Sequence, residues 1–425
     1  MSFGSLGRGA SLASILVLAG CGRDDVRLAP TPPAAVFAPS VTMPAAPTRP
    51  TSIRVIVGGD LLPHRPSLYA PERVSQALAR LAPLLETADV SVANYETATG
   101  DPLIFGSNSI SLAVPSAWMG AVAGAHFHAL TVANNHACDL GKSGLEATLK
   151  AAKSLDVEVL GADAKDPWRP QVLVEKDGRR VCAVAWTTMV NGGGSCKRSG
   201  ELAIAGFDRN GTTQIEHAMA RAREGGCDAI VAILHGGKEY APQIWGPRQQ
   251  ARRAAEAGAD AVVIHHPHVP SPVDVVTTTD GRRVPVFDSV GNLVSNQGES
   301  WKQPLPPESR QRLISLNAWT RLGVLADLEW TWSAGAPAGT RAEGRGFSWG
   351  YHLVWTENEH ADNRNEALPR IEARPVDPTA DKALLDRLAT DEQGPKRLLV
   401  DDCWLESSKK RCDAAPAARK NEPIF

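Results

Sequence analysis

The sequence predicts an α/β layered core in which parallel and antiparallel strands mix. Short apolar runs alternate with helical stretches from residue 52 onward, the pattern of strands covered by helices. Two pairs of strand-like runs flank turns containing Asp-Gly, at residues 177–178 and 280–281, which is a hairpin signal. Polar clusters follow directly on the apolar runs, where α/β sheets bind their ligands.

Composition sets the outer bounds. The chain has 425 residues, 43% hydrophobic and 22% charged, with a formal net charge of −2. This balance excludes a disordered, collagen-like or multi-span membrane protein. It also lacks the basic excess of a nucleic-acid binder, so no nucleic-acid partner is expected. Such a length fits two or three average domains, or one large α/β domain with attachments. Seven cysteines are few for a disulfide scaffold, and no CxxC pair suggests a zinc ribbon.

The first element is an export signal. Residues 10–20, ASLASILVLAG, form an apolar run behind Arg8. It is too short to span a bilayer and has the size of a secretory h-region. It ends in Leu18-Ala19-Gly20-Cys21, which resembles a bacterial lipobox with Cys21 as the lipidated residue. Residues 1–20 are thus expected to be a lipoprotein signal peptide. Residues 21–51 then form a tether carrying Pro30, Pro32, Pro33, Pro39, Pro44, Pro47 and Pro50. Proline at this density favours extended chain that buries no core. The expected location is the bacterial cell envelope, held by a lipid anchor. In a cell with two membranes this means the outer membrane or the periplasmic face, because Gly22 replaces the Asp linked to inner-membrane retention. Export exposes the other cysteines to an oxidising space. A local Cys403–Cys412 bridge is plausible, and Cys182 and Cys227 fit either a buried pair or two buried thiols.

Within the folded part, Ile53–Val57, Val90–Ala93 and Phe127–Val132 read as strands, with helices over Glu72–Glu86 and Gly144–Leu155. Gln171–Glu175 with Arg180–Trp186, and Val273–Thr278 with Val284–Phe287, read as hairpins. Ala229–Leu234 and Ala261–Ile264 are strands on either side of a helix over Arg248–Ala257. Tryptophan-rich alternating runs such as Leu322–Trp330 complete the domain, set at residues 52–356. Residues 357–425 form a charged C-terminal extension with one helix near Asp381–Ala389.

Five polar clusters share one placement. Gly58-Gly59-Asp60, Asn94-Tyr95-Glu96, Asn134-Asn135-His136-Ala137-Cys138-Asp139, His235-Gly236-Gly237-Lys238-Glu239 and His265-His266-Pro267-His268 each follow an apolar strand. A lone Gly-Gly-Asp is usually a turn, and Asn-Asn-His is usually a loop or cap. Three imidazoles in four residues rarely serve packing. Five strands delivering Asp, Glu, Asn and His to one edge make a metal-ligand set suited to zinc, manganese or iron. Lys238, Arg248, Arg252 and Arg253 could gather beside that edge to hold a polyanion, or could simply form a solvated helix face.

The segment Leu130–Gly141, with Gly144, Leu145 and Thr148, resembles the signature of the CapA family of poly-γ-glutamate capsule biosynthesis proteins. Gly59-Asp60, Ala93–Glu96, His235–Tyr240, Gly258–Asp260, His265–His268 and Ser289–Asn292 agree in order, and the resemblance covers about residues 52–300. It implies a calcineurin-like metallophosphatase architecture, a β-sandwich of mixed sheets flanked by helices, with two divalent metal ions (manganese, zinc or iron). Carried over by motif, Asp60 and His268 hold one ion, Asn135, His235 and His266 hold the second, and Glu96 bridges. His136 is then the acid that protonates a leaving group, and Glu239 orients His235. The sequence departs from metallophosphoesterases in two places and from CapA relatives in one. Leu62 stands where a His is usual, with His64 two residues later; Glu96 replaces an Asp; and Gly236 occupies a position where CapA relatives often carry Trp.

The resemblance implies a surface-anchored protein that makes, processes or exports an anionic γ-glutamate polymer, with polymer-synthase membrane subunits as partners. A metal-dependent phosphoesterase or other hydrolase with no capsule role, acting on a phosphoester substrate, is the first alternative. A non-catalytic polymer-binding module is the second.

Overall fold

The computed structural model describes residues 49–64, 66–101, 111–192, 194–240, 245–297, 319–336, 345–358, 370–390 and 412–413. The expected lipidation residue Cys21, the tether as far as residue 48, and Cys403 lie outside the described residues.

The first half alternates strand and helix. β1 (Thr51–Leu62) is followed by α1 (Pro71–Leu78), a 3-10 turn over Ala79–Leu81 and α2 (Ala82–Leu85), then by β2 (Val90–Tyr95). The single helix expected over 72–86 is therefore broken. Pro83 has no N–H to return to the preceding turn, and its ring crowds the carbonyl four residues back. A small ribbon of β3 (Ala98–Thr99) and β4 (Ala113–Val114) precedes α3 (Ser116–Gly124). Next come β5 (Ala129–Thr131), α4 (Gly141–Ser154) and β6 (Glu158–Leu160).

The second half opens with a hairpin, β7 (Gln171–Lys176) and β8 (Arg179–Thr187). Its turn places Asp177 at φ 53° and Gly178 at φ 73°, the double positive φ that a two-residue type I′ loop requires. α5 (Arg209–Glu224), β9 (Ala229–His235), α6 (Trp245–Ala257) and β10 (Ala261–His265) alternate again. β11 (Val273–Thr277), β12 (Arg283–Phe287), β13 (Asn292–Ser295), β14 (Leu322–Trp332) and β15 (Arg345–Asn358) follow. β16 (Ile371–Pro375), α7 (Lys382–Thr390) and β17 (Cys412–Asp413) come from the C-terminal extension.

Two mixed sheets result. One has the order β16-β15-β14-β1-β2-β5-β6, with β13 beside β1 and β17 beside β15; the other runs β11-β12-β10-β9-β8-β7. β1, β2, β5 and β6 are parallel in the first, and β8, β9, β10 and β12 in the second. Side-chain alternation builds the layers. Ile53, Val55 and Val57 of β1 join Val231, Ile233 and Val263 of the other sheet, with Trp330, Trp332 and Trp349, in a core between the sheets. Ile56 points the other way, into a cluster with Leu78 of α1 and Met119 of α3. Ile230, Val262 and Val286 meet Ile215 of α5 and Ala251 of α6 on the outer face of the second sheet. The architecture is a mixed-sheet sandwich flanked by helices, consistent with a calcineurin-like metallophosphatase fold.

Cys182 and Cys227 are disulfide-bonded, which settles the choice between a pair and two thiols. A second bridge, Cys138–Cys196, was not legible in the sequence. It ties the loop after β5 to the segment after β8.

Candidate metal centre

The site begins with an irregularity in β1. Val57 pairs with Val92 of β2, but Asp60 pairs with Asn94, so β1 carries one extra residue at Gly58-Gly59. Such a bulge bends the strand and re-aims the side chain that follows. Glycine is needed here because a Cβ on Gly59 would lie 2.2 Å from the carbonyl oxygen of Gly291. The amide of Asp60 donates to that same oxygen at 3.0 Å. Asp60 thus enters the interior at the strand's carboxyl end, fully buried.

The other clusters arrive at the same place. Glu96 follows β2, Asn135 and His136 follow β5, His235 ends β9, and His266 and His268 follow β10. All are buried. Among the described residues, the ligand atoms of Asp60, Glu96 and His268 lie within 4.8 Å of one another, as do those of Glu96, His235 and His266. Glu96 belongs to both groups. Its Oε1 is 3.7 Å from His235 Nε2 and 3.6 Å from His268 Nε2. Asn135 adds its Oδ1 to the second group, 2.8 Å from His235 Nε2. Asp60 Oδ2 lies 3.1 Å from His268 Nδ1.

His266 and His268 hold φ of 101° and 59°, left-handed backbone that side-chain-bearing residues adopt only under tertiary constraint. Pro267 between them and the backbone hydrogen bond from Tyr240 to its carbonyl, at 2.9 Å, supply part of that constraint.

The charges are those of a site prepared for a cation. Burial drives His235 well below its ordinary range, with His266 adding to the shift. Burial and the neighbouring His268 lower His266 to about 3. Both imidazoles are therefore neutral, the form that ligates metals. Burial pushes Glu96 well above the usual carboxylate range, and the charge on Asp60 pushes it further. Burial also opposes ionisation of Asp60, but the hydrogen bond from His268, the strongest influence in the other direction, helps hold the group well below that range. Among the described residues, Glu96 Oε1 and His266 Nδ1 are buried with no hydrogen-bond partner. A buried carboxyl oxygen left without a hydrogen bond is costly, and the cost falls when a cation joins it and lets the group ionise.

His136 stands at the rim of this cluster. Its Nδ1 lies 2.6 Å from Asp139 Oδ2, and Asp139 also accepts the Leu112 amide at 2.6 Å. Glu239 is exposed, and its carboxylate groups with the ligand atoms of His266 and His268. His64 belongs to none of the three groups of convergent ligand atoms. Arg248 is engaged elsewhere: it pairs with Asp288 at 2.5 Å and Asp274 at 3.7 Å beneath α6, so it does not join a cationic patch on the site's edge.

Several supporting residues were visible in the motifs without a readable role. Asn94 donates to Asp60 Oδ1 at 2.8 Å and to Glu96 Oε2 at 3.4 Å, while its own Oδ1 accepts from Asn134 at 3.1 Å. His268 Nδ1 meets Asn292 Oδ1 at 3.0 Å. His265 Nε2 donates to the Gly58 carbonyl at 2.9 Å, pinning the bulge of one sheet to the other. An amide that orients carboxylates looks, in sequence, like any cap or turn amide. Only the fold distinguishes them.

The model of the family described as bacterial capsule synthesis protein PGA_cap matches residues 54–297, a span that contains every one of these clusters. The chain is 29% identical over 229 residues to the capsule biosynthesis protein CapA of Bacillus anthracis, covering 51% of this chain and 53% of that protein. It is 31% identical over 176 residues to the PGA biosynthesis protein CapA of Bacillus subtilis (strain 168), covering 41% of this chain and 44% of that one. The chain therefore spans about half the length of the curated relatives it matches.

Proposed function

The chain belongs to the bacterial capsule synthesis protein family PGA_cap, and from that premise we propose that it acts as a metal-dependent, CapA-like protein in the synthesis, processing or export of an anionic γ-glutamate polymer. Two relatives named for capsule or PGA biosynthesis support the polymer. The observation that carries the metal-dependent part is Glu96, whose buried Oε1, without a hydrogen bond among the described residues, belongs to two convergent ligand groups at once.

In this reading Asp60, Glu96 and His268 hold one divalent ion, and Glu96, Asn135, His235 and His266 hold a second. Mixed imidazole, carboxylate and amide donors suit manganese, zinc or iron. Bound ions of this kind polarise a substrate oxygen and make hydroxide available near neutral pH. The chain's own residues do the rest. Asn94 holds Asp60 and Glu96 in register by donating to both. Asp139 takes the Nδ1 side of His136, which leaves Nε2 as the atom that hands a proton to a leaving group. An imidazole suits that role near neutral pH. The substrate is then the polymer or a phosphoester. The chain is placed at the cell envelope through a lipid on Cys21, beside the membrane subunits of a polymer synthase.

Metal content of the purified chain tests this directly. Elemental analysis should find about two ions per chain, reduced in both Asp60→Asn and His266→Ala. No retained metal after reconstitution with manganese, zinc or iron would remove the hydrolase reading and leave a binding or assembly role.

A further inference from the structure

A cavity lies away from the ligand groups, on the outer face of the second sheet beneath the start of α6. Its volume is about 210 Å³, and Trp245, Arg248, Gln249, Arg252, Asp274 and Asp288 line it over a floor of Val276 and Val286. Strand alternation puts it there: Phe287 faces the core between the sheets, while Val286 and Asp288 face α6.

We infer that this cavity is a binding subsite for one pyranose ring of a neutral carbohydrate. Three features point to that chemistry. Trp245 is 64% exposed, an unusual position for the largest apolar side chain unless its face is used. Phe207 packs against the residue after Trp245; it is 49% exposed, and a Cβ on Gly246 would meet its ring at 2.7 Å. Indole and the two valines offer an apolar surface to the C–H face of a sugar.

The polar groups decide between a sugar and an anion. Two guanidinium groups, Arg248 and Arg252, stand against two carboxylates, Asp274 and Asp288. Arg248 is already paired with both carboxylates. The wall thus has little net charge with which to hold a polyanion, but it has donors and acceptors together, as hydroxyl groups require. Among the described residues, Arg248 Nε is buried with no acceptor, a donor that a ring hydroxyl would satisfy. Size agrees: the cavity is smaller than the roughly 300–1,000 Å³ of pockets that enclose drug-sized ligands, and so is suited to one ring.

Saturation-transfer NMR on the full chain tests this, using the methyl pyranosides of glucose, galactose, mannose, N-acetylglucosamine and N-acetylgalactosamine, with sodium glutamate as the charged control. Transfer to the ring protons of at least one pyranoside is expected. Trp245→Ala should weaken it by about tenfold or more, and Asp60→Asn should leave it unchanged, so failure here is separable from failure of the metal reading. Because Trp245 is exposed, the variant should keep the wild-type circular dichroism; if it does not, Arg252→Gln serves as the second variant. The inference is overturned if no pyranoside receives transfer, if glutamate alone does, or if transfer persists undiminished in the folded variant.

Discussion

At the scale of single residues, Glu96 shows how far sequence reasoning reaches. Its place after a strand, two residues beyond Asn94, marks it as a ligand candidate. Its membership of two groups depends on β9 and β10 arriving from the other sheet, which no local pattern encodes. Asp139 is similar: three residues after His136, it reads as part of a loop, and only the fold turns its carboxylate onto the imidazole. His136→Ala is expected to lower phosphoester turnover by roughly a hundredfold or more while leaving metal content intact. Asp139→Asn should lower turnover less, because the imidazole loses the carboxylate that fixes its ring and its tautomer. Steady-state rates against pH on both variants check this. Asp288 gives a stability prediction. Burial raises it to about 6, with Arg248 opposing and Asp274 adding to the shift. The folded state therefore binds more protons than the unfolded chain between about pH 4 and 6, and stability falls as pH rises through that window. The loss is on the order of 2–3 kcal/mol. Urea unfolding at pH 4.5 and 7.5 should show a smaller difference for Asp288→Asn than for wild type.

At the scale of elements, most of the strands and helices were readable because alternation and helical spacing are local. The hairpins around 177–178 and 280–281 follow from their turn residues. The break between α1 and α2 follows from Pro83, which an amphipathic pattern conceals. The bulge in β1 was not readable: Gly-Gly before an Asp suggests a turn, whereas here the strand continues through it to Leu62. Gly59→Ala tests the bulge. The added methyl group meets backbone rather than a flexible side chain, so strand and neighbour must separate. A loss of about 2–4 kcal/mol is expected, together with a fall in metal content as Asp60 is displaced. Chemical denaturation and elemental analysis on the same sample provide both readouts. Gly58→Ala should be milder, because its added Cβ meets leucine side chains at 3.1 and 3.2 Å.

At the scale of the whole molecule, parallel strands from both sheets end at one place, and the disulfides treat that place unequally. Cys182–Cys227 spans 45 residues and Cys138–Cys196 spans 58, so chain entropy gives each about 4 kcal/mol. Replacing either pair with serine should therefore lower the thermal midpoint by a similar amount. Only loss of Cys138–Cys196 should also reduce metal content, because that bridge anchors the loop bearing Asn135 and His136. The ligand groups draw Asp60, Glu96 and Asn135 from one sheet and His235, His266 and His268 from the other. The centre is thus a seam across the sandwich, and a cation seated in it adds to the hydrogen bonds, His265 to Gly58 and His235 to Asn135 among them, that already join the two layers there. Amide hydrogen exchange would register this as protection gained in concert at the ends of β1 and β10. The molecule would breathe most freely at its working end when empty and least freely when charged with ions.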